Sequence, residues 1–533
     1  MTIKPATKNF LSLSLLTLLV SACGGGGSSS SSDSVDTSNT NSGSTDDIVW
    51  VKDDFAPKEQ FASLCENPRV GDDFDDVQGS TLAEKMWLRS WNDETYLWYQ
   101  DVEDVDPNPF TSPQSYFLEA LRTNEVSPSG NPIDKFHFIE DTEAQVARTS
   151  GVEAGYGVQW IALSTSTPRE YRVAYTEPNS PAAEAGLLRG AQIVAIDGVD
   201  FINGTGEENL AILQEGLFPS DIDQSHIFTI KEFGSEEEKE ITLVSEAVTI
   251  SPVQNVDVLE TASGKVGYMQ FNTFIKVAHD DLIEAFQRFE TEAISDLVLD
   301  LRYNGGGLLA LASQLGYMIA GSEATAGKTF FQLQYNDKTA SDNPIPFYSV
   351  GIDYDASVLI ETQPLPSVNL ERIFVLTTDD TCSASEAIIN GLSGIDVEVV
   401  QIGGTTCGKP YGFTPEDNCG TTYYTVQFRG INDKGFGDYS DGFSPENTLE
   451  SVGTTVKGCS VNDDLSKPLG DATEQLLATA LTFRETETCP TPTGTGMKFL
   501  PSLDASSALL KSDILLQEPN AFFKNNLIQT DLQ

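Results

Sequence analysis

Ser383 has surroundings in this chain that suit nucleophilic chemistry. It stands in the segment T-C-S-A-S-E, between a predicted strand and a predicted helix. A serine at a helix N-terminus can attack a carbonyl because the helix dipole and the free amides, here that of Ala384, stabilise a developing anion. The segment also fits a structural role, since Ser383 and Glu386 have the spacing of a capping box. Taken alone, the segment favours the cap.

Catalysis by a serine hydroxyl needs a base, and no histidine follows Ser383 in the sequence. Lys409 ends the segment G-T-T-C-G-K just after a predicted strand. Burial can lower the pKa of a lysine toward neutrality because desolvation disfavours the ammonium form. A neutral Lys409 could take the Ser383 proton during attack and return one to the leaving amine. A surface lysine in a loop is the alternative.

A glycine cluster supplies candidate hydrogen-bond donors for an oxyanion. The segment D-L-R-Y-N-G-G-G, residues 300–307, follows a continuous apolar strand. Glycines there let backbone amides turn toward a ligand without interference from a Cβ atom. Such amides suit the negative oxygen of a tetrahedral intermediate at the carboxyl end of a strand. Because glycine-rich turns after strands are common, this segment gains meaning only together with the other two.

The elements that would position these segments alternate between strands and helices. Apolar strands are predicted at 266–271, 297–301, 373–377 and 397–402, with helices at 279–289 and from residue 383. This alternation indicates βαβ crossovers and a mainly parallel sheet. Nearer the amino terminus, Trp87, Leu88 and Trp91 recur at helical spacing, which indicates a helix with an aromatic core face. A helical domain is therefore predicted ahead of the α/β core.

Between these regions lies the run S-P-A-A-E-A-G-L-L-R-G-A-Q-I-V-A-I-D-G, residues 180–198. Ser180 is predicted to cap a short helix whose first residue, Pro181, lacks an amide that the helix would not use. The run resembles the PDZ domains of bacterial periplasmic proteases, in which a peptide adds as a strand to a sheet edge. A closed groove that only positions other domains is the alternative. The resemblance implies carboxylate-binding amides at Tyr156, Gly157 and Val158.

Taken in order, D-L-R-x-N-x-G-G, S-A-S-E and G-K resemble the carboxy-terminal processing protease family, also called tail-specific proteases, over residues 80–485. The resemblance implies that Ser383 is the nucleophile, Lys409 the general base, and the amides of Gly306 and Ala384 the oxyanion donors. It also implies polypeptide substrates, either unfolded chains or carboxyl-terminal tails, and no metal or organic cofactor. The PDZ domain would bind the carboxyl end of the substrate and can gate the active site.

The fold class that follows is α+β and multidomain. It combines an N-terminal helical domain, a PDZ-like β domain and an α/β catalytic core of βαβ units, similar to ClpP and crotonase. The predicted boundaries are 1–23 for a lipoprotein signal peptide, 24–50 for a flexible Gly/Ser/Asp tether, 51–147 for the helical domain, 148–250 for the PDZ domain, 251–488 for the peptidase domain and 489–533 for a carboxyl-terminal tail.

The chain departs from the family pattern near its predicted base. Many members place a glutamine four residues after the lysine, where this chain has Phe413. One possibility is that another group, such as Thr414, orients Lys409. The alternative is that turnover is impaired and the protein is a peptide-binding scaffold. Because some relatives use a histidine from earlier in the chain as the base, that option also stays open. The candidates for it are His137, His226 and His279.

The amino terminus resembles a bacterial lipoprotein signal. Lys4 and Lys8 precede a short apolar run that is too brief for the about 20 residues a membrane span needs. Small residues then lead to Cys23, which the resemblance makes the lipidated residue. The following Gly24 favours the outer over the inner membrane of a bacterial cell envelope. An ordinary cleaved signal with an incidental cysteine is the alternative.

Composition narrows the partners further. The formal net charge of −49 disfavours nucleic-acid binding, because such a field repels phosphate backbones. The seven cysteines leave six after Cys23, an even number that suggests disulfides in an oxidising compartment. Cys407 with Cys419 is the favoured pair, since the intervening glycines and proline permit a turn. With only three histidines and no C-x-x-C pair, a zinc site is not expected.

Overall fold

The computed structural model describes residues 48–492, except 72, 340–343, 450 and 452. The predicted signal peptide with Cys23, nearly all of the predicted tether and most of the predicted tail lie outside these residues. Among the described residues, no helix combines the length and apolar character needed to cross a membrane.

The N-terminal region is built on one aromatic helix. Its elements are β1 (Leu64–Cys65), β2 (Val77–Gln78), α1 (Thr81–Thr95), α2 (Pro113–Ala120), β3 (Phe138–Asp141) and α3 (Thr142–Thr149). As the periodicity predicts, Trp87, Leu88 and Trp91 are buried, and the two indole rings stack at 5.3 Å. The hydroxyl of Ser80 caps α1 by accepting from the amide of Ala83. This face packs on α2, so the helices form one small core.

A five-strand antiparallel path follows, in the order β10-β9-β7-β6-β5, with β8 paired to β7. Its elements are β4 (Val152–Gly155), β5 (Val158–Ser164), β6 (Glu170–Thr176), α4 (Pro181–Glu184), β7 (Gln192–Ile196), β8 (Val199–Asp200), α5 (Glu207–Leu217), β9 (Ser225–Lys231), β10 (Glu238–Val244) and β11 (Glu246–Thr249). Ser180 caps α4 and Pro181 begins it, as predicted. The pairing of β4 with β11 joins the two ends of this region.

The rest of the described chain is an α/β core. Its elements are β12 (Val253–Thr261), β13 (Gly264–Phe271), α6 (Ala278–Glu292), β14 (Asp296–Asp300), α7 (Leu309–Thr325), β15 (Thr329–Tyr335), β16 (Pro344–Pro346), β17 (Val350–Asp353), β18 (Val358–Pro364), β19 (Arg372–Thr377), α8 (Ala384–Gly394), β20 (Glu398–Gly403), β21 (Tyr411–Gly412), β22 (Glu416–Asn418), β23 (Thr421–Tyr424), β24 (Phe428–Ile431), β25 (Phe443–Pro445), β26 (Thr454–Val456), β27 (Gly458–Ser460) and α9 (Gln475–Thr486).

The central sheet has the order β12-β13-β14-β19-β20-β27. Its strands are parallel from β13 onward, and only β12 runs antiparallel to its neighbour. One face is covered by α6, α7 and α8 and the other by α9, so strands such as β14 are buried along their whole length. The predicted mixed α/β architecture with a mainly parallel core sheet is confirmed.

The N-terminal region shares a sheet with the core. Strand β3 pairs antiparallel with β23, and β22 completes this three-stranded sheet. The segment that leads into β3 is thereby held against the loops that follow β20. Residues from the N-terminal region can therefore take part in a site on the core.

Candidate active site

Three loops meet at the carboxyl edge of the parallel sheet, because the strands they follow are neighbours and run the same way. The loops span 301–308 after β14, 378–383 after β19 and 404–410 after β20. Backbone hydrogen bonds tie them together: the amide of Cys382 donates to the carbonyl of Asn304, and the amide of Cys407 to that of Thr381, both at 3.1 Å. All three segments singled out in the sequence overlap these loops.

Ser383 occupies the N-cap position immediately before helix α8, in a strained conformation. Its φ of 61° and ψ of −110° are rare for a residue with a side chain, and such geometry costs about 1–3 kcal/mol. The residue is fully buried, and among the described residues its Oγ has no hydrogen-bond partner. A buried, unpartnered hydroxyl on a strained turn is available to react. The capping interaction that does form joins the backbone amide of Ser383 to the side chain of Glu386.

Glu386 connects the serine loop to the lysine loop. Its Oε2 accepts from the amides of Ser383 at 3.0 Å and Lys409 at 2.8 Å. Its Oε1 accepts from the amide of Gly408 at 2.9 Å and the hydroxyl of Thr406 at 2.5 Å. Burial raises the pKa of this carboxyl, and the hydrogen bonds to it oppose that rise. The side chain predicted as half of a capping box therefore also holds the base loop.

Lys409 is buried, with only 2% of its surface exposed. Burial lowers the pKa of its amine to about 7. The negative charges of Glu386 and Asp134 oppose this fall, and the positive charge of Lys135 adds to it. A substantial fraction of the amine is therefore neutral near pH 7, which is the form that a general base requires.

Two aromatic rings lie against the Lys409 amine. Its Nζ is 4.2 Å from the ring centroid of Phe413 and 4.9 Å from that of Phe136. Thr414, the polar residue considered for orienting the lysine, is exposed, and its amide donates to the side chain of Gln427 at 3.2 Å. Phe413, at the position where the family pattern has a glutamine, thus contacts the Lys409 amine with its ring.

The predicted oxyanion donors lie next to the serine. A Cβ atom on Gly306, where φ is 112°, would stand 2.8 Å from both the amide nitrogen of Ala384 and the Cβ of Ser383. Only glycine fits this approach. Ala384 is the first residue of α8, where helical amides have no partner within the helix. The amide of Gly306, however, donates to Oδ1 of Asn304 at 2.9 Å, so it must exchange partners before it can serve an oxyanion.

The predicted peptide-binding residues lie together at the start of β5, the last strand in the order of its sheet. Tyr156 is buried and its hydroxyl donates to the carbonyl of Gly216 on α5 at 3.0 Å. Gly157 has φ of 68°, and its carbonyl accepts from the amide of Glu177 at 2.7 Å. Val158 opens β5 itself. The three residues therefore form a turn beside a strand edge and a helix, the setting in which PDZ domains bind peptides.

The three histidines lie in three different places. Nδ1 of His137 is 2.9 Å from Asp134, and Nδ1 of His226 is 2.7 Å from Asp197 in the PDZ-like region. His279 lies on α6. Only His137 belongs to the segment that reaches Lys409: the Phe136 ring contacts the amine, and the negative charge of Asp134 opposes the fall that burial causes in the pKa of Lys409.

The cysteines pair as Cys65–Cys419, Cys382–Cys407 and Cys459–Cys489. The favoured Cys407–Cys419 pair is wrong. Cys407 lies on the loop after β20, beside the serine loop, whereas Cys419 lies in the turn between β22 and β23, beside the N-terminal region. The sulfurs of Cys382 and Cys407 lie close to Glu386, but they are bonded to each other and offer no thiolate to a metal.

The sequence did not predict several residues that contribute to the site. Lys135 and Phe136 come from the N-terminal region, and Arg189 of the PDZ-like region donates to Tyr303, one residue before Asn304, at 2.7 Å. Arg189 also pairs with Asp463 at 2.7 Å. The signal for Glu386 was present in its spacing from the serine, but nothing local to the others marks them, because their partners are distant in sequence.

Two parts of the chain match known families. Residues 265–418 match peptidase family S41, and residues 172–217 match the PDZ domain. The chain therefore contains an S41 peptidase domain preceded by a PDZ domain. A solved structure supports the fold: a putative S41 protease from Bacteroides fragilis is 25% identical with a TM-score of 0.57, and the match covers 79% of this chain and 100% of that one.

The chain is similar to carboxyl-terminal-processing proteases, which confirms the family resemblance. The protein of Synechocystis sp. is 32% identical over 241 residues, which are 43% of this chain and 54% of that protein. Carboxyl-terminal-processing peptidase 1 of Arabidopsis thaliana, a chloroplastic protein, is 23% identical over 334 residues, which are 62% of this chain and 61% of that protein. The match to these curated relatives thus spans about half of their length.

Proposed function

We propose that this protein is a serine-type endopeptidase that cleaves exported polypeptides near their carboxyl termini. Ser383 is the nucleophile and Lys409 the general base. The observation that carries the proposal is the shared oxygen of Glu386, which holds the amides of both residues within hydrogen-bond distance. A buried hydroxyl that has no hydrogen-bond partner among the described residues and a lysine with a pKa of about 7 then stand on adjoining loops.

The proposed reaction begins when Lys409 takes the Ser383 proton as the hydroxyl attacks the substrate carbonyl. The amide of Ala384 donates to the developing oxyanion, and that of Gly306 joins it after leaving Asn304. The Lys409 ammonium returns a proton to the departing amine, which leaves an acyl-enzyme on Ser383. Water, deprotonated by the same lysine, then releases the acyl group.

The remaining parts of the proposal concern delivery of the substrate. The PDZ domain binds the carboxyl end of an unfolded polypeptide through the amides of Tyr156, Gly157 and Val158. Cys23 carries a lipid that anchors the protein in a bacterial cell envelope, at the outer membrane, with its folded part in the periplasm or at the cell surface. The proposal on peptide binding is supported by the sequence motif and the PDZ match, and the proposal on the anchor is supported by the sequence motif alone.

The test is to incubate the purified chain with unfolded polypeptides and to map the cuts by mass spectrometry. Cleavage near carboxyl ends is expected, and Ser383→Ala and Lys409→Ala should each abolish it while the melting temperature shows a folded protein. Ser393→Ala, on the same helix, is the matched control and should cleave normally. Binding without cleavage by the unmutated chain would favour the alternative, a peptide-binding scaffold. That alternative was suggested by Phe413, which stands where the family pattern has a glutamine.

A further inference from the structure

The Lys409 amine is enclosed by rings from two parts of the chain. Phe413 belongs to the core and lies four residues beyond the lysine, whereas Phe136 belongs to the N-terminal region. Both rings are buried, with 0% and 1% of their surfaces exposed. A pair of ring faces keeps water away from the amine, and this desolvation disfavours the ammonium form. The ring quadrupole attracts the ammonium when it does form, and so holds it in place.

These rings are themselves held rigidly. Phe413 packs edge-on against Tyr424 at 5.9 Å, and Phe136 contacts Tyr411 at 6.1 Å. All four belong to a single cluster, which also contains Tyr96, Phe138 and Val426. Because close-packed rings have little freedom, the faces presented to Lys409 are fixed in place.

The N-terminal region also holds the backbone of the lysine loop. Nζ of Lys135 donates to the carbonyl of Cys407 at 3.0 Å. Oδ1 of Asp134 accepts from the amides of Phe136 and His137, both at 3.1 Å, and this fixes the turn that carries Lys135 and Phe136. Residues of the N-terminal region therefore contact both the amine of Lys409 and the loop that carries it. Lys135 and Cys407, for example, are 272 positions apart in the sequence.

We propose that Phe413 and Phe136 are positioning residues for Lys409: their ring faces fix the amine and exclude water from it, while Lys135 anchors its loop. The inference rests on the proposed role of Lys409 as a base. The charged groups that face the amine are Glu386, Asp134 and Lys135. None of these needs to move for the rings to act. The N-terminal region is then part of the active site and not only a support for it.

The experiment is a titration of the full chain labelled with ¹³C at the lysine Cε atoms, followed by NMR. The Lys409 resonance is identified by its loss in Lys409→Arg. In the unmutated protein it should titrate with a midpoint near 7. Phe413→Gln and Phe136→Gln each place a polar amide against the amine, which favours the ammonium form, so the midpoint should rise by about one pH unit or more. Phe413→Tyr, which keeps the aromatic ring, should titrate with the same Lys409 midpoint as the unmutated protein.

The control is Phe289→Leu, because the Phe289 ring is equally buried but lies on α6, in a different cluster. The midpoint of Lys409 should stay unchanged in this variant. The proposal is overturned if the unmutated lysine titrates near 10.5, or if neither glutamine variant that folds moves the midpoint. Since the titration needs no substrate, it is separate from the proposed function: a shifted midpoint without cleavage contradicts peptidase activity alone, and cleavage with an unmoved midpoint contradicts the positioning role alone.

Discussion

The backbone amides of Ser383 and Lys409 donate to the same oxygen atom, Oε2 of Glu386, at 3.0 and 2.8 Å. Their nitrogens therefore lie no further apart than the sum of those two distances. A buried carboxylate thus sets the spacing of two loops that follow different strands. This arrangement makes Glu386 as important to the site as the two residues it holds.

Replacing Glu386 with glutamine should impair activity more than any other change outside the reacting groups. The glutamine NH2 group would face donors such as the amides of Ser383 and Lys409, and each unsatisfied donor costs about 1–3 kcal/mol. A small displacement of reacting groups can cost about 100-fold in rate. Peptide hydrolysis and urea unfolding measure the two effects. Asp141→Asn, which alters the carboxylate cap of α3, should leave the rate unchanged; equal rates for Glu386→Gln and the unmutated protein would contradict the account.

Activity should rise with pH through about 7, because only the neutral Lys409 amine can accept the serine proton. A pH profile of kcat/KM measures this limb directly. A profile that is flat from pH 6 to pH 8, or that falls over this interval, would be incompatible with lysine as the base.

The burial of Lys409 should also lower the free energy of unfolding of the protein. Its folded pKa is about 7, well below the ordinary 10.5, so the unfolded chain binds more protons between these values and the free energy of unfolding rises with pH across that interval. Lys409→Met should therefore be inactive but more stable at pH 6, by a gain on the order of several kcal/mol. The gain should shrink toward pH 10. Unfolding of both proteins in urea at several pH values measures it, and a variant less stable than the parent at pH 6 would count against a buried amine.

The Cys382–Cys407 disulfide should matter for turnover as well as for stability. It joins the loops of Ser383 and Lys409 across 25 residues, and Cys459–Cys489 closes a similar span of 30 between β27 and the segment after α9. By loop entropy, replacing either pair with alanines costs about 3.5 kcal/mol. Only the first replacement should lower kcat. Parallel measurements of melting temperature and kcat test this, and equal kcat losses in the two double variants would show that the bond has no special link to the site.

Arg189 should hold the PDZ domain on the peptidase domain. Burial alone would raise the pKa of Asp463. The positive charges of Arg302 and Arg189 outweigh this effect and keep that pKa below its usual value. The stabilisation from Arg189 is therefore present above the ordinary carboxyl pKa and is lost as acid protonates Asp463. Arg189→Met should destabilise the protein at pH 7 by about 1–3 kcal/mol, and this destabilisation should shrink progressively as the pH falls below the ordinary carboxyl pKa. Arg288→Met, which removes an exposed pair, is the control. A destabilisation that is independent of pH would contradict the assignment.

The sequence predicted those elements whose signals are local. The apolar strands of the core, the aromatic helix around Trp91 and the Ser180 cap depend on neighbours within a few residues, so periodicity and capping rules suffice. The positions of Ser383 and Lys409 at one sheet edge also follow, because parallel neighbouring strands end on the same side.

What the sequence could not predict depends on residues far apart along the chain. The partner of Cys407 is Cys382 and not the nearer Cys419, because the register of β19 and β20 decides which loops meet. Phe136 contacts Lys409 only because β3 pairs with β23. The engagement of the Gly306 amide by Asn304 is likewise a tertiary feature, since a glycine cluster does not reveal which of its amides is free.

Covalent labelling of Ser383 by a fluorophosphonate probe tests the central claim most directly. Mass spectrometry should place the probe on Ser383, with a labelling rate that rises through pH 7 and that falls by at least about 100-fold in Lys409→Ala. If Ser383 stays unlabelled while the protein cleaves a peptide, or if Lys409→Ala is labelled as fast as the unmutated protein, the serine and lysine are not the reacting pair.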